Sequence, residues 1–200
     1  MAVRSVVRAL VGVVAGAVLV GGVAACSPVQ MGAAAVVGDE RISVASVDGP
    51  AREVHRLAPV VEQQGGNVPA GIVLAKVVNV LVTRLAKEQG IGWTQGDIDG
   101  AIAKATQGQG LQPNQVYTVP LFGNARAQLP TDEAEAYGRA LYLEGVLEQR
   151  LGSPEELARQ LSDLARRIGV QINPRYGDFD YKTLDLRVTY GGLWVKAPSS

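Results

Sequence analysis

Few residues in this 200-residue chain can carry covalent, acid–base or metal chemistry, and each stands nearly alone. Cys26 is the one thiol and His55 the one imidazole. A nucleophile needs a base within hydrogen-bond reach. His55 sits between Arg52 and Arg56 on a predicted helix, where it reads as a surface side chain rather than a general base. One imidazole and one thiol make no adequate ligand set for zinc. Asp97, Asp99 and Gly100 match part of a calcium loop, but the further acidic ligands and the closing glutamate are missing. Asp178 and Asp180 are two carboxylates without partners, and they read as turn and surface residues. Gly108 and Gly110 follow no predicted strand and open no capped helix, which argues against a phosphate loop. Catalysis by carboxylates alone is possible in principle, yet no pair of them stands in a recognisable setting. The expectation is no cofactor, no metal and no enzymatic activity.

Cys26 is placed for a different chemistry. Arg4 and Arg8 make a basic start, an uncharged apolar run follows from Ala9, and small Ala24 and Ala25 stand at the point where a secretory signal is cut. Val23, Ala24, Ala25 and Cys26 together resemble a bacterial lipoprotein lipobox, with valine in a place where leucine is commoner. That resemblance implies cleavage before Cys26 and lipidation of it, palmitate included. Two acyl chains hold a protein at a membrane where one does not, each buried methylene contributing about 0.8 kcal/mol. Two other readings stay open. A buried structural cysteine is poorly served by a position directly after a cleavable run. A transmembrane anchor is long enough, since no charge falls between Arg8 and Asp39, but six glycines and alanines between Gly12 and Gly22, then Pro28, make it a mediocre spanning helix. A lipid or a transmembrane anchor leaves the rest of the chain outside the cytoplasm, tethered to the membrane.

The expected organisation is a signal peptide over 1–25, a tether over 26–34, one folded domain over 35–190 and a flexible tail over 191–200. From Cys26 onward there are 17 basic and 19 acidic residues, a formal charge of about −2. Nucleic acid is an unsuitable partner for that balance, which offers no clustered basic surface. With its only thiol acylated the chain forms no disulfide, so the fold rests on its core.

Periodicity supplies that core. Two short β-type pieces flank a turn at Gly38 and Asp39, a hairpin pattern. Ser43 is then a candidate N-cap for a helix over 44–64, unless Gly49 and Pro50 delay its start to Ala51. Residues 69–89 are rich in β-branched side chains, yet Lys76, Asn79, Thr83, Arg84, Lys87 and Glu88 share about half of a helical wheel, with Leu74, Val78, Leu81 and Leu85 opposite. A strand would bury either Lys76 or Asn79, so the pattern predicts an amphipathic helix ending near Gly90. Thr94 caps a shorter helix over 95–105 carrying Ile98, Ile102 and Ala105. Two more helices follow. One starts after Pro130 with Thr131 as its cap, Asp132 and Glu133 in its first turn and a stripe of Ala136, Ala140, Leu143, Leu147 and Leu151. The other opens on the capping box Ser153, Pro154, Glu155, Glu156 and runs to Gly169. Gly152 alone separates them, which predicts a tight antiparallel pair, with a bent continuous helix as the alternative. Alternation over 184–190 predicts a strand that pairs with the early hairpin. The fold class expected is mainly α, with a small N-terminal β-hairpin paired with a C-terminal strand.

Three stretches, in order, resemble the SurA N-terminal-like family of envelope chaperones, whose relatives include PrsA-type foldase lipoproteins. The first is Ala35 to Ser43. The second comprises Leu85 to Ile91, followed by Thr94 to Ala105 with Asp97, Ile98, Ala101 and Ile102. The third is Val170, Gln171, Ile172, Asn173, Pro174, Arg175, Tyr176, Gly177, Asp178, Phe179 and Asp180. The likeness covers most of residues 35 to 180. It implies a helical chaperone portion without the separate parvulin-like isomerase domain, for which this chain has no room and too few histidines. The function implied is a non-enzymatic holdase for unfolded or partly folded secreted proteins, lipid-anchored at the outer face of the cell membrane. A different class of reading is an adaptor lipoprotein docking one dedicated envelope partner. Val73, Val77, Leu81, Phe122, Leu143 and Leu147 are candidates for a client surface, but helical stripes bury themselves first, so core packing is expected and the client-binding residues stay unassigned.

Overall fold

The computed structural model describes residues 32–57, 67–106, 117–118, 126–127 and 131–187. Cys26, the signal segment, Phe122, Gly108, Gly110 and the tail over 191–200 lie outside them. The first hairpin pairs β1 (Ala33–Val37) with β2 (Glu40–Ser43), Val37 opposite Glu40. Its corner needs a left-handed residue, and Gly38 takes it at φ +62°. β1 includes Ala33 and Ala34, two residues assigned above to the tether.

Ser43 does cap the next helix, α1 (Ala45–Leu57), accepting the Ser46 N–H at 3.1 Å. Pro50 neither delays nor ends α1. It lies inside the helix with its side chain buried, where its missing N–H forgoes the bond to the Ser46 carbonyl. The expected extension to residue 64 falls outside the described residues. α2 (Val68–Glu88) is the centre of the molecule, touching α1, both strands of the hairpin and four later elements. Asn67 caps it, accepting the Ala70 N–H at 3.0 Å. Gly90 stops it at φ +68°, where the Ile91 N–H returns to the Ala86 carbonyl at 2.8 Å. By length and composition α2 could cross a membrane, but Val73, Val77, Leu81 and Val82 are fully buried inside this fold. Val78, expected on its apolar face, is only half-buried.

Beyond α2 come α3 (Gln95–Thr106), α4 (Thr131–Leu151) and α5 (Pro154–Ile168). Gly152, at φ +92°, breaks the chain between the last two, so they are two helices packed on one another rather than one bent helix. Ser153 accepts the Glu156 N–H at 3.2 Å, but the reciprocal half of the capping box is absent: the Glu156 carboxylate instead takes Arg159 at 2.8 Å and Gln160 at 3.0 Å. Arg159 holds that carboxyl down at about 2. The short pair β3 (Tyr117–Thr118) and β4 (Arg126–Ala127) lies between α3 and α4 in sequence.

The C-terminal strand that joins the hairpin is β5 (Val170–Ile172), antiparallel to β1, giving the order β2-β1-β5. The predicted pairing held in kind but came from an earlier segment. Gly169 ends α5 with its carbonyl 2.9 Å from the Gly38 N–H, which delivers residue 170 to the open edge of β1. Asn173 then ties the chain down, its N–H to the Ala34 carbonyl at 2.9 Å and its Nδ2 to the Ala33 carbonyl at 3.1 Å. Tyr176 enters the core, 2% exposed, at the end of a 3-10 turn (Pro174–Tyr176). The strand expected over 184–190 is instead β7 (Asp185–Arg187), paired with β6 (Asp178–Asp180) in a hairpin of its own.

One charge works against the fold. Glu144, half-buried on α4, has its carboxyl pushed up from 4.5, first by burial and then by the like charge of Glu148 one turn on. A raised folded-state value means this group favours the fold when protonated and loses that contribution as pH rises from its unfolded value through its folded one. Glu144→Gln is therefore expected to raise the melting temperature at pH 7. The advantage should vanish below pH 4.5, and a thermal melt series across pH reads both.

Candidate functional site

The residues singled out by type do not assemble into a reactive centre. His55 is exposed on α1. Asp97 is occupied in capping α3: it accepts the Thr94 N–H and hydroxyl, each at 2.7 Å, which lowers its pKa. Asp99 accepts from Gln95 at 3.0 Å. Asp180 pairs with Arg187 and accepts the Lys182 N–H at 2.8 Å, the turn role expected of it, while Asp178 is exposed. Among the described residues no group of three His, Cys, Asp or Glu side chains could hold a metal. Val73, Val77, Leu81, Leu143 and Leu147 are each 0% exposed, so all five are core.

A groove lies elsewhere, over one face of α2. Ile72, Ala75, Lys76, Asn79, Val80 and Thr83 line it at helical spacing. From Ile72 to Thr83 that face is roughly 16 Å long at 1.5 Å per residue. Glu133, Ala136, Tyr137, Arg139 and Ala140 of α4 form one wall; Glu40, Arg41 and Ile42 of β2, with Ser46 and Pro50 of α1, form the other. The enclosed space is about 320 Å³.

Hydrogen bonds fix how the walls run. Lys76 pairs with Glu133, and Asn79 Nδ2 donates to the Ala136 carbonyl at 2.9 Å. Farther along, Arg150 donates to the Gln89 carbonyl at 2.9 Å. Both helices ascend together through these pairs, so α2 and α4 are parallel and Arg139 stands at the Thr83 end. Asp39 pairs with Arg84, placing β2 at that same end. The middle of the groove is electrically quiet, because Lys76 and Glu133 neutralise one another. Its apolar surface comes from Ile42, Ile72, Pro50, Val80 and three alanines, with amide and hydroxyl groups at the edges.

Such a surface can hold an extended peptide. Apolar side chains would leave water at about 25 cal/mol per Å², and Asn79 and Thr83 stand beside the path of its backbone. Thr83 donates to Asn79 Oδ1 at 3.2 Å and the Ser46 hydroxyl donates to the Ser43 carbonyl at 2.8 Å, so neither hydroxyl is paired with a base. Sequence reasoning placed Lys76, Asn79 and Thr83 on the polar face of α2, and they are there. It missed that α4 and β2 close over that face, since the Lys76 to Glu133 contact spans 57 positions and has no local signal.

What the described residues define is a mainly helical module in which a three-stranded sheet joins β2, β1 and β5, with a cleft of about 320 Å³ on α2. Comparison with protein-family models, with curated proteins and with solved structures gives no match for this chain.

Proposed function

We propose that this protein is an extracytoplasmic lipoprotein that holds unfolded or partly folded secreted proteins without enzymatic action, a SurA N-terminal-like module. The observation that carries the reading is the groove on α2, apolar in the middle, hydrogen-bonding at its edges, and long enough for about five extended residues at 3.3 Å each. Lipidation of Cys26 would keep this groove at the outer face of the cell membrane, where exported chains emerge unfolded.

The test is aggregation of a chemically unfolded model protein with the full chain in lipid nanodiscs at near-stoichiometric ratio. Slower aggregation of several unrelated clients supports the holdase. No effect on any of them moves the assignment to an adaptor with one dedicated partner. The anchor has its own test: Cys26→Ser should shift the chain from the membrane to the soluble fraction on cell fractionation, whereas full retention at the membrane would point to a transmembrane segment.

A further inference from the structure

Arg139 is the groove's odd charge. Several arginines among the described residues meet carboxylates, Arg84 with Asp39, Arg167 with Glu88 at 2.6 Å, Arg175 with Asp48 at 2.9 Å and Arg187 with Asp180, and Arg150 meets the Gln89 carbonyl. Arg139 meets no carboxylate. Its Nε is shut off from solvent without a hydrogen-bond partner, and its guanidinium lies 5.8 Å from the centre of the Trp93 ring. Stacking on an aromatic face steadies a guanidinium but leaves its in-plane donors unused. A half-buried cation in that condition attracts a carboxylate, which can accept two parallel N–H bonds at once.

Position narrows the choice of carboxylate. Lys76 pairs with Glu133 in the middle of the groove, and Arg139 stands without a carboxylate partner at the Thr83 end of the apolar floor. An acidic side chain branches off a backbone, whereas the terminal carboxylate continues it. We infer that Arg139 receives the C-terminal carboxylate of an extended apolar peptide whose preceding residues lie back along α2 toward Ile72. The groove would then select chain ends over internal segments. This rests on the holdase reading, and it adds which part of a client is held.

The experiment titrates full-length protein in nanodiscs into an N-terminally dye-labelled pentapeptide of valine, leucine and alanine, prepared as free acid and as C-terminal amide, with fluorescence anisotropy as readout. The acid should bind about ten-fold tighter or more, the range of a charge-assisted hydrogen bond. Arg139→Gln should erase that preference by weakening the acid alone, and Arg139→Lys should restore part of it. Equal binding of acid and amide by the unmodified protein overturns the inference while leaving the peptide groove intact. An amidated peptide ending in aspartate that binds as tightly as the free acid overturns the terminus as the determinant. Loss of acid and amide alike in Arg139→Gln makes Arg139 a packing residue. No binding of any peptide sinks both the inference and the holdase reading.

Discussion

Leu81→Ala should lower the stability of this fold by about 3 to 4 kcal/mol, the loss measured when a fully enclosed leucine is truncated and its cavity cannot collapse. Leu81 is 0% exposed on α2, and the cluster around it draws on almost every element: Val37 of β1, Leu143 and Leu147 of α4, Leu161 and Leu164 of α5, and Tyr176. Walls supplied by separate helices and a sheet strand cannot all move inward together, so the void stays open. At roughly 3 °C per kcal/mol for a chain of this size, the melting point should fall by about 10 °C. Two companions locate the cause. Leu81→Met, which conserves volume, should cost less than about 1.5 kcal/mol. Val80→Ala, at a half-buried residue facing the groove, should cost well below Leu81→Ala. Equal losses at Leu81 and Val80 would mean that the core face of α2 is packed no more tightly than its groove face.

That core face was legible in the sequence because it is written locally. Polar residues sharing one side of a wheel made 69–89 a helix against its β-branched composition, and Gly90 marked its end, whereas its cap, Asn67, emerges only from the structure. Thr94, Ser153, Gly152 and Gly169 marked bounds of the later helices. Pairings between distant segments were not written that way. Alternation marked 184–190 as a strand and was right about Asp185–Arg187, but which strand reaches β1 depends on where α5 ends in space, beside Gly38. Gly49 and Pro50 left open an interruption or a start at Ala51 by propensity, and α1 runs through both. The groove was invisible for a related reason. Its residues are ordinary, and only the parallel approach of α2 and α4 pairs Lys76 with Glu133, fixes Asn79 on the Ala136 carbonyl and leaves Arg139 without a carboxylate.

Gly138→Val should cost about 3 kcal/mol, although valine is a better helix former than glycine. A Cβ at residue 138 would stand 2.5 Å from Ile102 Cγ1, 2.7 Å from its Cδ1 and 3.0 Å from Ile98 Cγ2. These isoleucines are 7% and 2% exposed, and β-branching leaves them little rotamer freedom, so α3 must back away from α4. Gly145, on the same helix, has nothing within 4 Å of a Cβ. Gly145→Ala should therefore stabilise by up to about 1 kcal/mol through helix propensity alone. Opposite shifts from two glycines seven residues apart would show that α4 is pinned by a close approach at Gly138 rather than by its own helicity. The consequence reaches the groove, since Trp93 packs with the same small cluster as Ile98 and Ile102 and stacks on Arg139. Displacing α3 should free the guanidinium from its ring, so Gly138→Val should also weaken binding of the acid pentapeptide more than of the amide. Thermal melts and the same anisotropy titration measure the two effects on one sample, and a destabilised Gly138→Val that still prefers the acid to the same degree would show that Trp93 does not position Arg139.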